Sequence, residues 1–426
     1  MIGTTDGLET ASWTAVRPHL TSAATWAPGR MATVDEALAL VTVAAASTCG
    51  TERVRLEDAG VRVLAAAIIA RRCAPACDVS AMDGYAVRDA DLAADWNSLR
   101  VVGASYAGQG FEGRLGPGMA VRTFTGAPTP RGADRVVVQE DVRRIGERVF
   151  VPGAAAGKRH IRRAGSDFRS GDVLVEGGVA LTAQRLVAAA AADLATVEVV
   201  ARPRVLVVAT GDELRSPGEG PIAPESIPES VSFGVAELAR AYGAEVTIRR
   251  RLPDDLDQLQ AAAHGLIEAA DVVVVVGGAS VGERDYSRAM FEPLGLSTLF
   301  SRVAMRPGKP VWFGQAGGSN IVGLPGNPTA ALVTARLFLA PLIAGLAGRG
   351  AQSALIWRRR ALTEGLEATQ QWECFVGGQL DGDAVRPCAN RDSSAQKTLA
   401  AVEVLIRRGP QEASAAPGAF VETLDF

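Results

Sequence analysis

The run of valines at residues 272–276 limits what this chain can fold into more than any other feature. A strand that is apolar at every position is buried on both faces, which is typical of a parallel sheet covered by helices. Further apolar runs at 204–209 and 320–322 alternate with helical patterns along the same part of the chain. This alternation predicts an α/β domain from about Arg202 to Gly348.

The rest of the 426-residue chain predicts further domains. Helical patterns start at Thr33, run from Leu56 to Ala70, and resume after Thr182 as an alanine-rich helix with Thr182 as its cap. Short alternating runs punctuated by glycine and proline indicate a small β domain at about 79–152, and a second all-β region begins at Arg349.

Composition excludes several classes of protein. The net charge of -3 gives no field of one sign, so we expect neither a nucleic-acid nor a membrane partner. The five cysteines lack the spacing of a zinc site and are expected to be reduced, as in a cytoplasmic protein. Residues 1–30 are expected to form a loose leader without a signal peptide. The apolar segment Val333–Leu346 is interrupted by Arg336 and Pro341, which argues against a membrane span.

The strongest candidate site follows the valine run. Gly277 and Gly278 allow backbone N–H groups to approach an anion, and Ser280 adds a hydroxyl donor. Gly282 extends the turn, and Asp285 is a candidate Mg²⁺ ligand at the same strand end. The alternative is a plain glycine turn with a solvated Asp285.

A second strand ends in Gly211, Asp212 and Glu213. Their carboxylates would reach the same sheet edge as Asp285 if the two strands are near neighbours. Carboxylates gathered there fit metal-assisted phosphate chemistry. The alternative for Asp212 is that it caps a following helix.

A third segment, Arg306-Pro307-Gly308-Lys309, holds two cations close together. The prolines stiffen the backbone and the glycine permits a tight turn. Arg306 and Lys309 would neutralise a tetrahedral oxyanion or a phosphate. The alternative is a surface turn with solvated charges.

Two other turns carry polar groups. Pro325, Gly326 and Asn327 precede a predicted helix, and a rigid turn at a helix start is a good anion cradle. Asp83 and Thr125 lie in turns of the β domain. Turn chemistry alone would explain both of them.

Seven motifs together resemble the molybdopterin molybdenumtransferase family (MoeA type), which includes the C-terminal part of gephyrin. They occur in the family's order and read SAMDGYAV, FTGAPTPRGADRVVVQED, GSDFRSGDVL, ATGDEL, VVVGGASVGERDY, VAMRPGKPVWFG and GLPGNP. The resemblance covers about Thr33 to Gly348 firmly and the remainder more weakly.

The resemblance implies a multidomain α/β plus β fold. Its parts would be a loose leader (1–30), a discontinuous helical linker domain (31–75 and 158–201), an inserted β domain (76–157), a three-layer, mostly parallel α/β domain like the molybdopterin adenylyltransferases (202–348) and a C-terminal β-barrel (349–426). It also implies a homodimer whose cleft is shared between subunits. Molybdopterin adenylyltransferase and molybdoenzymes are the other partners it implies.

The implied reaction inserts molybdate into adenylyl-molybdopterin with Mg²⁺ and releases AMP. By resemblance, the catalytic residues would be Asp83, Glu213, Asp285, Arg306 and Lys309. The metal ligands would be Glu213, Glu229 and Asp285. The substrate-binding residues would be Thr125, Gly211, Asp212, Gly277, Gly278, Ser280, Gly282, Pro307, Gly308, Pro325, Gly326 and Asn327.

The chain departs from the family pattern at four positions. Glu229 replaces an aspartate, Val231 an asparagine, Arg306 a lysine, and Gly377 an arginine. These changes motivate an alternative function, a non-catalytic cofactor-binding or scaffolding paralogue. Retention of Glu213, Asp285 and Lys309 argues against it. An adenylyltransferase acting one step earlier is a third hypothesis, which the extra domains and SAMDGYAV disfavour.

Overall fold

The computed structural model describes residues 30–153, 157–220, 224–278 and 286–426. Its helices are α1 Val34–Ala44, α2 Ala183–Ala191, α3 Val231–Ala241, α4 Leu256–Ala269, α5 Tyr286–Ala289, α6 Pro328–Thr334, α7 Ala340–Leu346 and α8 Gln396–Leu399. A π-helical segment, Ala335–Leu339, joins α6 to α7.

The first twelve strands are β1 Thr51–Arg55, β2 Ile68–Ile69, β3 Val79–Ser80, β4 Gly84–Val87, β5 Trp96–Ser105, β6 Met119–Thr123, β7 Arg135–Val138, β8 Arg143–Ile145, β9 Arg148–Pro152, β10 Ile161–Arg162, β11 Val173–Val175 and β12 Thr196–Val200. The remaining strands are β13 Arg204–Thr210, β14 Leu214–Arg215, β15 Ile227–Pro228, β16 Glu245–Leu252, β17 Val272–Val276, β18 Ser297–Phe300, β19 Met305–Arg306, β20 Trp312–Ala316, β21 Ser319–Leu324, β22 Trp357–Leu362, β23 Glu373–Asp381, β24 Ala384–Pro387, β25 Val404–Arg408 and β26 Phe420–Asp425. The described residues form two compact units, one within Arg53–Glu198 and the other comprising residues 30–52 together with those of Val199–Phe426.

The larger unit contains the predicted α/β domain. Its sheet has the strand order β16-β13-β17-β21-β20-β18. The first four strands are parallel to one another, and β20 pairs antiparallel with both β21 and β18. Val272, Val274 and Val276 pack on one face with α3, α6 and α7, whereas Val273 and Val275 pack on the other with α4. The valine run is therefore buried on both faces, and the three-layer architecture is confirmed.

The C-terminal region of the same unit is a closed barrel. Its sheet order is β19-β23-β24-β22-β26-β25, and a further pairing between β23 and β25 closes five of these strands into a ring. The sixth, β19, is only two residues long and adds to β23 in parallel. Because β19 contains Arg306, one candidate cation is attached directly to the barrel.

The smaller unit contains the predicted β domain. Its six-stranded sheet has the order β7-β4-β6-β5-β9-β8 and encloses a core that includes Tyr85, Leu99 and Val149. The smaller unit also holds α2, whose predicted cap is confirmed because the Thr182 side chain accepts a hydrogen bond from the Arg185 N–H.

The helix predicted over Leu56–Ala70 is wrong. The structure has a single 3₁₀ turn at Leu56–Asp58 and the short strand Ile68–Ile69. Between them Gly60 offers no side chain and Val61 takes a left-handed φ of 58°, which ends any helix. Backbone bonds to distant residues, such as Leu64 N to Val179 O, replace the helical ones.

Thr33 caps helix α1 as predicted, in a capping box with Glu36. The helix belongs to the larger unit, where Ala37 and Val41 join the core on the face that includes Leu342. The chain is continuously helical from Pro328 to Leu346. The 19 residues of this stretch and their mean hydropathy of 1.8 would suit a membrane span, but 89% of the window is buried inside the fold, as in a core helix.

Candidate functional site

A cavity of about 660 Å³ lies at the carboxyl ends of β13, β17 and β21, where ligands bind in open α/β sheets. It is within the size range of small-molecule sites, roughly 300–1,000 Å³. Its lining includes seven of the residues predicted from sequence, namely Glu213, Glu229, Gly277, Gly278, Pro325, Gly326 and Asn327.

The two glycines after β17 are required by their backbone. Gly277 has a φ of 95° and Gly278 a φ of 59°, both in the left-handed region. A Cβ on Gly277 would lie 2.6 Å from the carbonyl oxygen of Thr210 on the neighbouring strand. A residue with a side chain would therefore clash at position 277. Because both positions are glycine, no side chain covers the backbone of this turn where it lines the cavity.

Glu213 and Glu229 both line the cavity and both belong to the segment that connects β13 to α3. The Glu213 carbonyl accepts a hydrogen bond from the Ile227 N–H, which holds the two ends of this segment together. Glu229 caps α3, because its carboxylate accepts from the Ser232 N–H at 2.7 Å and from the Ser232 hydroxyl at 2.6 Å. The charge of Glu229 also suits the positive end of that helix.

Asp212 has a different environment from Glu213. Its Oδ1 accepts a hydrogen bond from the backbone N–H of Asp254 at 3.1 Å, so it ties the loop before α4 to the end of β13. The segment after Asp212 forms β14, so the alternative that Asp212 caps a following helix is wrong. Gly211 has a φ of 153°, and a Cβ there would lie 2.8 Å from the Glu213 carboxylate.

The cavity lining also includes residues that the sequence did not single out, among them Asp254, Ser394 and Gln396. The last two come from the C-terminal region. The neighbouring Ser393 links this region to the turn before α6. The Asn327 side-chain amide donates to the Ser393 hydroxyl, and the Thr329 N–H donates to the Ser393 carbonyl. No local sequence signal could have found these contacts, because they join residues more than sixty positions apart.

The Arg306–Lys309 turn separates two cavities. Pro310 lines the large one, whereas Arg306 and Pro307 line a second cavity of about 330 Å³ against the barrel. The Lys309 ammonium lies 5.0 Å from the ring centroid of Trp372, which lines this second cavity. The structure therefore places the predicted cations beside, rather than within, the carboxylate-lined cavity.

Gly308 sets the conformation of this turn. Its φ is 106°, and a Cβ would lie 2.3 Å from the Thr334 Cγ2. Three arginines line the second cavity, Arg306, Arg391 and Arg408, and their charges act to lower the pKa of the Cys374 thiol. Burial nevertheless outweighs these arginines and raises the pKa of Cys374.

Gly377, where the resembling family has arginine, also lines the second cavity. A Cβ at this position would come within 2.7 Å of the Val402 Cγ2. The neighbouring Val402 therefore occupies the space that a side chain at 377 would need. The loss of the arginine is accompanied by apolar packing at the same place.

In the smaller unit, Asp83 and Thr125 are in direct contact. The Asp83 Oδ1 accepts from the Thr125 N–H at 2.8 Å and from the Thr125 hydroxyl at 2.9 Å. These two donors, the backbone one first, hold the pKa of Asp83 below its usual value. Asp83 is thus kept ionised in a turn that its own carboxylate closes.

The substitution Thr125→Val is expected to raise the pKa of Asp83 part of the way toward its usual value. The hydroxyl donor is lost while the stronger backbone donor stays. A lowered carboxyl pKa contributes stability above the usual value that is lost as pH falls through the folded one. NMR titration of the Asp83 carboxyl measures the shift, and Thr129→Val is the control. An unchanged Asp83 titration would show that the hydroxyl contributes nothing.

Ser280, Gly282 and Asp285 lie outside the described residues. Among the described ones no group of three histidine, cysteine, aspartate or glutamate side chains is arranged to hold a metal ion. Glu213 and Glu229 remain as a pair of oxygen donors lining one cavity. Mg²⁺ takes only one or two protein carboxylates beside water and phosphate oxygens, so this pair is compatible with it.

Comparison with known proteins adds to this geometry. Residues 32–192 match the family described as MoeA N-terminal region (domain I and II), and residues 206–345 match the family described as probable molybdopterin binding domain. A molybdopterin molybdenumtransferase of Haemophilus influenzae is 37% identical over 321 residues, covering 75% of this chain and 78% of the relative. One of Bacillus subtilis is 36% identical over 306 residues, covering 69% and 70%.

Solved structures give a consistent result. A molybdopterin biosynthesis MoeA protein from Pyrococcus horikoshii superposes with a TM-score of 0.81 at 27% identity, covering 93% of this chain and 99% of that one. A second structure from the same organism has a TM-score of 0.76 at 24% identity and covers 93% and 100%. The fold described above is thus that of the MoeA structures.

Proposed function

The chain belongs to the molybdopterin molybdenumtransferase family, and on that premise we propose that it transfers molybdenum from molybdate to molybdopterin. In the finer proposal the pterin enters as adenylyl-molybdopterin, its two dithiolene sulfurs replace oxygens of molybdate that leave as water, and water cleaves the phosphoanhydride so that AMP is released. The single observation that supports this most is the 660 Å³ cavity, which brings Glu213, Glu229 and two glycine-containing turns together.

The glycine-containing turns suit a phosphate-bearing substrate. Backbone N–H groups in tight turns form concave sites for anions, and Gly277 and Gly278 have the positive φ angles that such turns need. Gly326 lies against this turn, since a Cβ on it would be 3.7 Å from the Gly277 Cα. We propose that the phosphoanhydride lies across the two turns.

Mg²⁺ is part of the proposal, with Glu213 and Glu229 as its protein ligands. Glu229 already accepts two hydrogen bonds, but an ionised carboxylate has about four lone-pair sites, so lone pairs remain that can bind the ion. When bound there, the ion would neutralise charge on the phosphates and on the leaving AMP. Asp285 remains a predicted third ligand.

Arg306 and Lys309 are proposed to hold molybdate. Both cations are exposed and flank the cavity against the barrel, so an oxyanion would reach them from solvent.

Asp83 and Thr125 are proposed to complete the site from the partner subunit of a homodimer. The protein is also proposed to be cytoplasmic. The five cysteines are free, which agrees with a reducing compartment.

The test is AMP release from adenylyl-molybdopterin with molybdate and Mg²⁺. The substitution Glu213→Gln is expected to lower the rate roughly 100-fold and to raise the Mg²⁺ concentration needed for half-maximal rate, because the charge that binds the ion is lost while the shape is kept. Glu237→Gln, on the exposed side of α3, is the matched control and should leave both values unchanged.

Molybdate-dependent AMP release that survives Glu213→Gln at every Mg²⁺ concentration would reject the metal role of this carboxylate. Tight binding of the pterin nucleotide by the unaltered protein without any release of AMP would reject the transferase proposal itself. That second result would favour the non-catalytic cofactor-binding alternative. The structural argument for this alternative is Gly377, where the family has an arginine.

A further inference from the structure

A third concavity, of about 210 Å³, lies beside the edge strand β16 of the α/β sheet. Four arginines line it: Arg215 from β14 and Arg249, Arg250 and Arg251 from β16. We refer to it as the arginine pocket. Glu229 lines both the arginine pocket and the 660 Å³ cavity, so the two spaces adjoin.

Neutral groups hold three of the four arginines in position. The Arg249 guanidinium carbon lies 3.4 Å from the centroid of the Phe233 ring, and the Arg251 Nη1 donates to the Leu214 carbonyl at 2.6 Å. The Arg215 Nη1 donates to the Ser216 carbonyl at 3.4 Å. These contacts order the cations without neutralising them, because neither an aromatic face nor a carbonyl carries a full charge.

The four arginines outnumber the single carboxylate, that of Glu229, in the lining of the arginine pocket, so the lining carries an excess of positive charge. Within the described parts of the chain, none of the four arginines has a carboxylate within 4.0 Å. Many arginines elsewhere in this unit do, as in Arg204 with Asp271.

Two acidic side chains of this region accept hydrogen bonds from serine donors. Glu229 accepts two hydrogen bonds from Ser232, and Glu219 accepts one from the Ser216 N–H. A further sign of a missing acceptor is the Arg215 Nε. It is buried and has no hydrogen-bond partner among the described residues. Such groups are rare in folded proteins, since burying one unpaired is unfavourable.

We propose that the arginine pocket binds a phosphate group, either as inorganic phosphate or as the phosphate of an ester. Guanidinium groups pair with phosphate oxygens through parallel hydrogen bonds. The volume falls below the roughly 300 Å³ at which sites for drug-sized ligands begin, so the pocket takes an anionic group and not a whole nucleotide. The proposal does not depend on the transferase reaction.

The competing explanation is that charges on an exposed edge strand merely prevent it from pairing with other chains. Exposed arginines would serve that purpose without being anchored. The stacking of Arg249 on Phe233 and the bond from Arg251 to Leu214 are what set this group apart. The two explanations differ in whether phosphate binding saturates.

The experiment is a calorimetric titration of the full chain with inorganic phosphate and, separately, with AMP, each at low and at physiological salt. We expect saturable binding of one phosphate group per chain, weakened about tenfold in Arg249→Gln and in Arg251→Gln, as for the loss of one charge-assisted hydrogen bond. Arg240→Gln on α3 removes the same charge outside the pocket and should bind as the unaltered protein does.

Arginine-dependent binding of phosphate identifies the free ion as the ligand, and arginine-dependent binding of AMP alone identifies an ester. The proposal is overturned if neither probe saturates, if both pocket variants bind like the unaltered protein, or if Arg240→Gln weakens binding equally. Should Arg251→Gln lower the melting temperature, Arg249→Gln decides, since Arg249 is held by stacking. Neither titration requires turnover, so its outcome is separate from that of the AMP-release assay.

Discussion

Replacing Gly323 by alanine is expected to lower the free energy of unfolding by about 3–5 kcal/mol. Gly323 lies on the central strand β21, and a Cβ there would be 1.7 Å from the Nε1 of Trp312 on β20. Trp312 is 1% exposed and cannot move aside without disturbing the core. Its Nε1 also donates to the Ser287 hydroxyl at 3.0 Å, and that bond would be lost.

The effect should extend to the site. The same Ser287 hydroxyl donates to the Gly278 carbonyl at 3.0 Å, so the indole, the serine and the glycine turn form one chain of hydrogen bonds. Thermal or urea unfolding measures the change in stability. Gly265→Ala is the control, because nothing lies within 4 Å of its added Cβ and alanine favours the interior of α4 by about 1 kcal/mol. An unfolding free energy unchanged by Gly323→Ala would mean that Trp312 does not pack over β21.

The substitution Lys309→Met is expected to slow molybdate-dependent AMP release roughly 100-fold, as for the loss of one preorganised group that stabilises developing charge. Methionine keeps the length of the stem beside Trp372 and removes the ammonium. The loss should fall mainly on the response to molybdate, because the pterin nucleotide is proposed to lie in the adjoining cavity lined by Glu213. Rates measured over a range of molybdate concentrations separate the two contributions.

Two further variants sharpen this test. Lys309→Arg keeps the charge with a different geometry, so partial recovery is expected. Arg359→Met removes a cation that stacks on Phe420 of the barrel, and it should release AMP at the normal rate. If Lys309→Met and Arg359→Met behave alike, Lys309 has no special role toward molybdate.

The sequence predicts best where the pattern is local and periodic. One of the helical patterns between the apolar runs at 204–209 and 272–276 is helix α4, Leu256–Ala269, because its apolar residues recur at helical spacing after the cap Asp255. The valine run is strand β17, since nothing but a doubly covered sheet can bury all five residues. Glu213, Gly277 and Gly326 meet at one edge because carboxyl ends of parallel strands do so.

The prediction fails where distant residues decide the structure. Leu56–Ala70 has an apolar pattern that suits a helix, but its backbone bonds to partners more than a hundred positions away, such as Val179. The pairing of β19 with β23 is equally remote, and it moves Arg306 onto the barrel and away from the carboxylates. Spacing along the chain carries no information on such contacts. The sequence could therefore identify Arg306, Glu213 and Glu229 as site residues, but it could not predict that the arginine lines a different cavity from the two carboxylates.

The pair of hydrogen bonds from the 327–329 turn to Ser393 has an evolutionary consequence. The α/β domain and the barrel resemble separate modules, yet each supplies part of one cavity wall, and Ser393 helps to join the two parts. An exchange of either module between relatives would leave that wall mismatched unless both ends changed together. Positions 327 and 393 are therefore expected to covary among homologues, and chimaeras joined at residue 348 should need a matched pair to keep the cavity intact.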